Sequence, residues 1–158
     1  TGTPWHWYAG ESAAVGCGWT SPQPYSRHDV AVIDMAPGIS AARLEAMLTP
    51  RPEAVLLRAY GVGNVPSDEP GLTDVIADVL HDGVPVVIAS QCQQAEVLLG
   101  HYETGDAIAR AGAIGSGDMT LEATYAKIMF LLSQGVTGAD FGKWMHTSIA
   151  GEISPSSL

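Results

Sequence analysis

The stretch AVLLRAY at residues 54–60 decides the fold, because it is apolar on both faces for almost its whole length. A strand with one wet face alternates apolar and polar residues, whereas a strand inside a parallel sheet reads as a continuous apolar run. Two similar runs flank it, VAVIDM at 30–35 and VPVVIA at 84–89. Helical patterns separate the three strands. This order predicts a small three-layer α/β/α domain with a mainly parallel sheet of about four strands.

Capping residues and hydrophobic periodicity place the remaining elements. Ser40 suits the N-cap of a helix over residues 41–48, and Thr120 suits that of the longest helix, over residues 121–134. Lys127 falls in the middle of the longest helix, where a lysine is expected on the solvated face. The sequence also predicts helices at about 72–80, 106–111 and 139–149, and a brief fourth strand at 113–114.

Charge and cysteine content narrow the class of protein. The 158 residues carry a formal net charge of −10, which repels phosphate backbones and anionic lipid, so neither nucleic acid nor a membrane surface is an expected partner. No apolar run approaches the roughly 20 residues that a membrane span needs. Two cysteines, Cys17 and Cys92, in a chain with a full apolar core are typical of an intracellular protein. We therefore expect a cytoplasmic location.

The chain changes character at residue 29. Residues 1–28 contain three of the four tryptophans and several prolines, without sustained periodicity. We interpret 1–28 as a linker or lead-in segment that lies against the domain formed by 29–158.

Ligands of an open α/β sheet meet the loops at the carboxyl ends of its strands. Two of the three candidate site residues, Asn64 and Cys92, lie in such loops, and the third, Arg58, lies in the middle of a strand. Asn64 follows two glycines after the second strand, and its amide could bind a polar ligand or merely tie the loop together. Arg58 lies within an apolar strand, so it needs either a structural acidic partner or a ligand carboxylate. Cys92 follows the third strand; without a clear histidine base it is interpreted as a small packing thiol rather than a nucleophile.

Other chemistries lack their motifs. The glycines at 61 and 63 do not form a dinucleotide fingerprint, because the third glycine is absent and Pro66 follows at once. The five histidines are scattered, and none has metal-ligand spacing to another histidine or cysteine. We therefore predict no metal and no cofactor.

Five stretches, in order, resemble one family. LLRAYGVGNVP at 56–66 resembles the second-domain signature of bacterial type I, cytosolic-type L-asparaginases of the asparaginase/glutaminase family. The other four are IDMAPGIS at 33–40, SQC at 90–92, GSGDMTLEATYAK at 115–127 and GEI at 151–153.

The resemblance implies an amidohydrolase that converts L-asparagine, and to some extent L-glutamine, to the acid and ammonia. The family's threonine nucleophile and its helpers belong to an amino-terminal domain that is not matched here, so no catalytic residue is assigned and this chain alone is predicted to be inactive. In the family's oligomer, the residue equivalent to Asn64 completes the pocket of a neighbouring subunit. Arg58 and Cys92 match an allosteric asparagine site of some members.

Three alternatives remain. The chain could be a non-catalytic asparagine-binding or regulatory domain. It could be a hydrolase that uses Thr1 as an amino-terminal nucleophile. It could also be the asparaginase-like subunit of a transfer-RNA amidotransferase, although the acidic charge argues against that.

Overall fold

Four short parallel strands form the central sheet. A computed structural model of the protein describes residues 21–61, 63–65, 70–92, 97 and 108–154. The strands, in chain order, are β1 (Val30–Asp34), β2 (Ala54–Ala59), β3 (Val86–Ser90) and β4 (Ile114–Gly115). They lie side by side in the order β1-β2-β3-β4, and every pairing is parallel. The predicted sheet is confirmed.

The connections between the strands pack on one face of this sheet. Helix α1 (Ala41–Met47) joins β1 to β2, and α2 (Leu72–His81) joins β2 to β3. In the third connection residues 108–110 are helical, and Ile108 belongs to the same core cluster. Consecutive strands are neighbours in the sheet, and crossovers between parallel strands are almost always right-handed. All three connections therefore lie on the same face of the sheet. Residues 106 and 107 of the predicted helix lie outside the described residues.

Two C-terminal helices, α3 (Leu121–Ser133) and α4 (Gly138–Met145), cover the other face. They pack on the alternate strand residues, including Leu56 and Val87, and bury Phe141 completely. Because successive side chains of a strand point to opposite faces, an all-apolar strand supplies both cores at once. The predicted three-layer architecture is confirmed.

Both predicted helix caps are present, but the last helix is shorter than predicted. Ser40 Oγ accepts from the Arg43 backbone N–H at 3.2 Å, and Thr120 Oγ1 accepts from that of Ala123 at 3.1 Å. The prediction that the last helix reaches Ile149 is wrong, since α4 ends at Met145. The backbone N–H of Ile149 donates to the Glu152 carboxylate instead of a helical carbonyl.

Lys127 is buried, so the prediction that it lies on a solvated face is wrong. Its side chain is only 3% exposed. The ammonium lies 2.6 Å from Glu152 Oε1 and donates to the backbone oxygens of Met145 and Thr147 at 2.9 and 2.8 Å. Helix α3 therefore holds the segment after α4 through one charged side chain.

The described part of the lead-in segment, residues 21–28, runs along the end of α3. The Gln23 backbone N–H donates to Gln134 Oε1 at 2.7 Å, and Gln134 Nε2 donates back to the Gln23 oxygen at 3.1 Å. Residues 1–20, which include Thr1 and Cys17, lie outside the described residues. Within the described part of the chain, no helix has the length and apolar character needed to cross a membrane.

Candidate functional site

The carboxyl ends of β1, β2 and β3 meet at one edge of the sheet, and the side chain of Gln91 joins them. Gln91 Nε2 donates to the Met35 oxygen at 2.6 Å and to the Arg58 oxygen at 2.8 Å. Its backbone N–H donates to the Ala59 oxygen at 2.9 Å. One half-buried amide therefore fixes the relative positions of three strand ends. We call this region the carboxyl edge.

A tight turn after β2 presents Asn64 at the carboxyl edge. The backbone N–H of Tyr60 donates to the backbone carbonyl oxygen of Asn64 at 2.8 Å. The backbone N–H of Asn64 donates to the backbone carbonyl oxygen of Tyr60 at the same distance. Gly61 and Gly63 have positive φ angles of 50° and 112°, a region that favours glycine because it has no Cβ. The two glycines thus allow the chain to reverse and bring Asn64 back beside Tyr60. Val62 lies outside the described residues.

Arg58 forms the structural ion pair that its strand position suggested. Its Nη1 lies 2.7 Å from Asp34 Oδ1, and the two residues are opposite each other in the β1–β2 register. The Arg58 side chain is 28% exposed and the Asp34 side chain 61%. This pairing explains how an apolar strand tolerates a cation. It uses one of the five N–H donors of the guanidinium.

Two buried side-chain atoms have no hydrogen-bond partner among the described residues: Arg58 Nε in β2 and the hydroxyl of Tyr60, which follows β2. Arg58 alternates with Leu57 and Ala59, which pack on the side of α1 and α2, so its side chain leaves β2 on the side of the C-terminal helices. An unsatisfied buried donor costs about 1–3 kcal/mol. A polar ligand that accepted from both atoms would remove that cost.

Cys92 also lies at the carboxyl edge, but it is exposed, so its interpretation as a packing thiol is wrong. Its backbone N–H donates to Ser90 Oγ at 2.9 Å, and that hydroxyl donates to the Gly61 oxygen. Ser90 thereby connects the loop after β3 with the turn that carries Asn64. Among the described residues, no hydrogen bond joins the Cys92 thiol to the Arg58 side chain.

The structure thus brings all three predicted site residues to one edge and adds neighbours that sequence reasoning missed. Gln91 and Ser90 hold the loops, and Asp34 pairs with Arg58. The Tyr60 hydroxyl is a buried group with no hydrogen-bond partner among the described residues. All four residues lie within the stretches that resemble the family, at 33–40, 56–66 and 90–92, and that resemblance is the signal that could have found them. Among the described residues, no three histidine, cysteine or acidic side chains group in a way that could hold a metal ion.

Comparisons with known proteins agree on one family. The model of the glutaminase/asparaginase C-terminal domain matches residues 29–145. L-asparaginase 1 of Escherichia coli (strain K12) is 38% identical over 135 residues, which are 85% of this chain and 38% of that protein. The L-asparaginase of Thermococcus kodakarensis is 33% identical over 142 residues, which are 90% of this chain and 43% of that protein.

A solved structure gives the same result for the fold. The crystal structure of L-asparaginase I from Vibrio cholerae O1 biovar eltor superimposes with a TM-score of 0.77 at 36% sequence identity. The match covers 84% of this chain and 40% of that one. The chain therefore spans less than half the length of the relatives that it matches.

Proposed function

Because the chain belongs to the family of the glutaminase/asparaginase C-terminal domain, we propose that it acts as the C-terminal domain of an L-asparaginase. In the complete enzyme, an amidohydrolase, L-asparagine is converted to L-aspartate and ammonia. Asn64 contributes its amide to the pocket of a neighbouring subunit in a cytoplasmic homo-oligomer. A separate amino-terminal domain supplies the nucleophile, and L-glutamine is the second substrate to test.

The observation that carries this proposal is the rigid presentation of Asn64. Two backbone hydrogen bonds close its turn, and the Ser90 hydroxyl ties the same turn to the loop after β3. A side chain that orients a substrate must be held within a fraction of an ångström of the productive geometry. An amide offers two donors and one acceptor, which suits the ammonium and carboxylate of an amino acid.

The chemistry divides between the two domains. Hydrolysis of an unactivated amide needs a nucleophile, a base and donors for the developing oxyanion. The described residues of this chain contribute binding and orientation at the carboxyl edge. We therefore expect no turnover from this chain by itself.

Ammonia release from L-asparagine tests this proposal. The purified chain is expected to release none, and turnover should appear when a polypeptide that carries the amino-terminal asparaginase domain is added. Asn64→Ala should lower that turnover about tenfold or more, which corresponds to a lost hydrogen bond to a charged group. Gln134→Ala is the control, because it removes an amide near the opposite edge of the sheet. Turnover by the chain alone, or equal turnover by both variants, contradicts the proposal.

A second candidate function is an asparagine-binding regulatory site around Arg58 and Cys92. The two unpaired buried atoms, Arg58 Nε and the Tyr60 hydroxyl, support it, because both can donate to a ligand carboxylate. The site would then lie on the face of the C-terminal helices, with Cys92 on a neighbouring loop.

A further inference from the structure

Three side chains near the amino ends of the strands, away from the carboxyl edge, are arranged as a nucleophile, a base and an orienting acid. Ser26 Oγ lies 2.8 Å from His28 Nε2, and His28 Nδ1 lies 2.6 Å from Glu53 Oε2. Serine hydrolases on unrelated folds use the same connectivity, in which the hydroxyl meets Nε2 and the carboxylate meets Nδ1. Ser26 and His28 precede β1, and Glu53 precedes β2, so the group lies at the amino ends of these strands.

The strand pairing holds this arrangement in place. Glu53 Oε2 also accepts the backbone N–H of Asp29 at 3.2 Å, and the Glu53 N–H donates to the Asp29 oxygen at 2.8 Å. The carboxylate is therefore anchored at the point where β1 and β2 begin to pair. Because a carboxylate accepts, it favours the tautomer with the proton on Nδ1 and leaves Nε2 free to take a proton from Ser26. The His28 side chain is 17% exposed.

An apolar groove of about 300 Å³ lies next to Ser26, because Tyr25, its neighbour in the chain, and Ser133, its hydrogen-bond partner, both line the groove. Tyr125, Met129 and Phe130 supply its apolar surface. Ser133 Oγ is 3.5 Å from Ser26 Oγ and 3.2 Å from the Ser26 backbone nitrogen. A groove of this size and composition suits a short acyl or aryl group rather than an amino acid.

From these observations we propose that Ser26, His28 and Glu53 form a second hydrolytic site, which cleaves esters of small apolar acids. This activity is separate from the asparaginase function, because Asn64 and Arg58 lie at the carboxyl edge.

In this reaction, Ser26 Oγ attacks the ester carbonyl carbon while its proton moves to His28 Nε2. The carbon–oxygen bond to the alcohol breaks, and the alcohol leaves with that proton. Water then attacks the acyl carbon and gives a proton to Nε2. The bond from Ser26 to the acyl carbon breaks, the acid leaves, and Ser26 takes its proton back.

The preferred substrates follow from the surroundings of the nucleophile. The Ser26 backbone N–H already donates to Ser133 Oγ, so this donor does not face a developing oxyanion. One oxyanion donor is worth about 10²–10³ in rate. We expect turnover of esters with good leaving groups, such as p-nitrophenyl butyrate, and none of amides.

A covalent label and a rate together test the proposal on the full chain. Diisopropyl fluorophosphate should add one diisopropylphosphoryl group, and peptide mapping should place it on Ser26. Ser26→Ala should abolish the adduct and the hydrolysis of p-nitrophenyl butyrate, and His28→Gln should slow hydrolysis about 100-fold or more. His81→Gln, a change at an exposed histidine at the end of α2, is the matched control.

Far-ultraviolet circular dichroism shows whether each variant is folded. Ser26 is exposed, so its replacement by alanine removes no core contact. Labelling at another residue, or equal hydrolysis by the parent chain and Ser26→Ala, overturns the proposal. The three side chains would then serve only to hold the lead-in segment against the domain. Neither result bears on ammonia release, so the two functions are tested independently.

Discussion

Replacement of Glu152 by glutamine is expected to destabilise the chain strongly, because it removes the carboxylate that pairs with the buried Lys127 ammonium. The Lys127 side chain is 3% exposed and that of Glu152 is 15% exposed. Besides Lys127, the carboxylate accepts the backbone N–H groups of Ile149 and Ala150, the latter at 2.6 Å. Glutamine has the same size but only one oxygen, so it also loses part of this backbone pairing.

The expected loss is about 3 kcal/mol. Removal of one partner of a buried ion pair costs roughly 3–5 kcal/mol. The lower end applies, because the Lys127 ammonium keeps its bonds to the Met145 and Thr147 oxygens. For a chain of this size, each kcal/mol lowers Tm by about 2–4 °C, which gives a shift of about 6–12 °C. Urea unfolding followed by circular dichroism measures the free energy directly.

The pH dependence provides a second check. Burial by itself would raise the pKa of Glu152, but the hydrogen bonds from Lys127 and from the Ala150 and Ile149 backbone outweigh it and hold the pKa below its ordinary value of 4.5. A carboxyl group with a lowered folded-state pKa stabilises the fold above its unfolded pKa, and this contribution disappears as the pH falls through the folded value. The difference between the parent chain and Glu152→Gln should therefore be constant above about pH 5 and shrink below pH 4.5.

A double-mutant cycle separates the ion pair from other effects. Lys127→Met removes the ammonium, and the double variant with Glu152→Gln lacks both charges of this ion pair. The double variant should then be less destabilised than the sum of the single changes, by about 2 kcal/mol or more. A loss below 1 kcal/mol for Glu152→Gln, or strict additivity, would show that solvent screens the pair and that the segment after α4 is held by apolar contacts.

Two further changes probe the carboxyl edge. Arg58→Met should weaken the binding of L-asparagine at least tenfold, because a charge-assisted hydrogen bond contributes about 1.5–3 kcal/mol. Calorimetry measures the affinity, and Arg43→Met, a change at an exposed arginine, is the control. Equal affinities of the two variants would exclude Arg58 as a ligand residue. Gln91→Leu should lower the free energy of unfolding by about 1–2 kcal/mol, since the backbone oxygen of Met35 loses its hydrogen bond from Gln91 Nε2. Urea unfolding measures this change. An unchanged midpoint would mean that the Gln91 amide does not hold the strand ends.

The sequence predicted correctly those secondary-structure elements that are determined by residues close to them in the chain. The apolar runs at 54–60 and 84–89 contain the information that both faces are covered, and Ser40 and Thr120 satisfy helix N–H groups within three residues. Prediction from the sequence failed where a feature depends on a residue far along the chain. The end of α4 depends on a carboxylate seven residues beyond it. The burial of Lys127 depends on the same carboxylate, 25 residues along the chain.

The candidate site shows the same division in its individual residues. Position in the α/β pattern was enough to place Asn64 and Cys92 at one edge, because the carboxyl ends of parallel strands share it. Arg58 was predicted only in the middle of its strand, whereas it is the last residue but one of β2. The partner of Arg58 was not predictable, because the choice of Asp34 among 17 acidic residues requires the β1–β2 register. The exposure of Cys92 was equally hidden, since it depends on how the loop after β3 leaves the sheet.

The geometry of Arg58 makes a structural ion pair and a ligand-binding role compatible in one side chain. Asp34 is bound through Nη1 and is itself 61% exposed, so it compensates the charge without enclosing the guanidinium. Nε is buried and has no hydrogen-bond partner among the described residues. A planar guanidinium can hold one carboxylate on each of two sides, which an ammonium cannot do with fixed geometry. Arg58→Lys should therefore keep the ion pair with Asp34 while losing most of the ligand affinity, and that separation distinguishes the two roles of this one side chain.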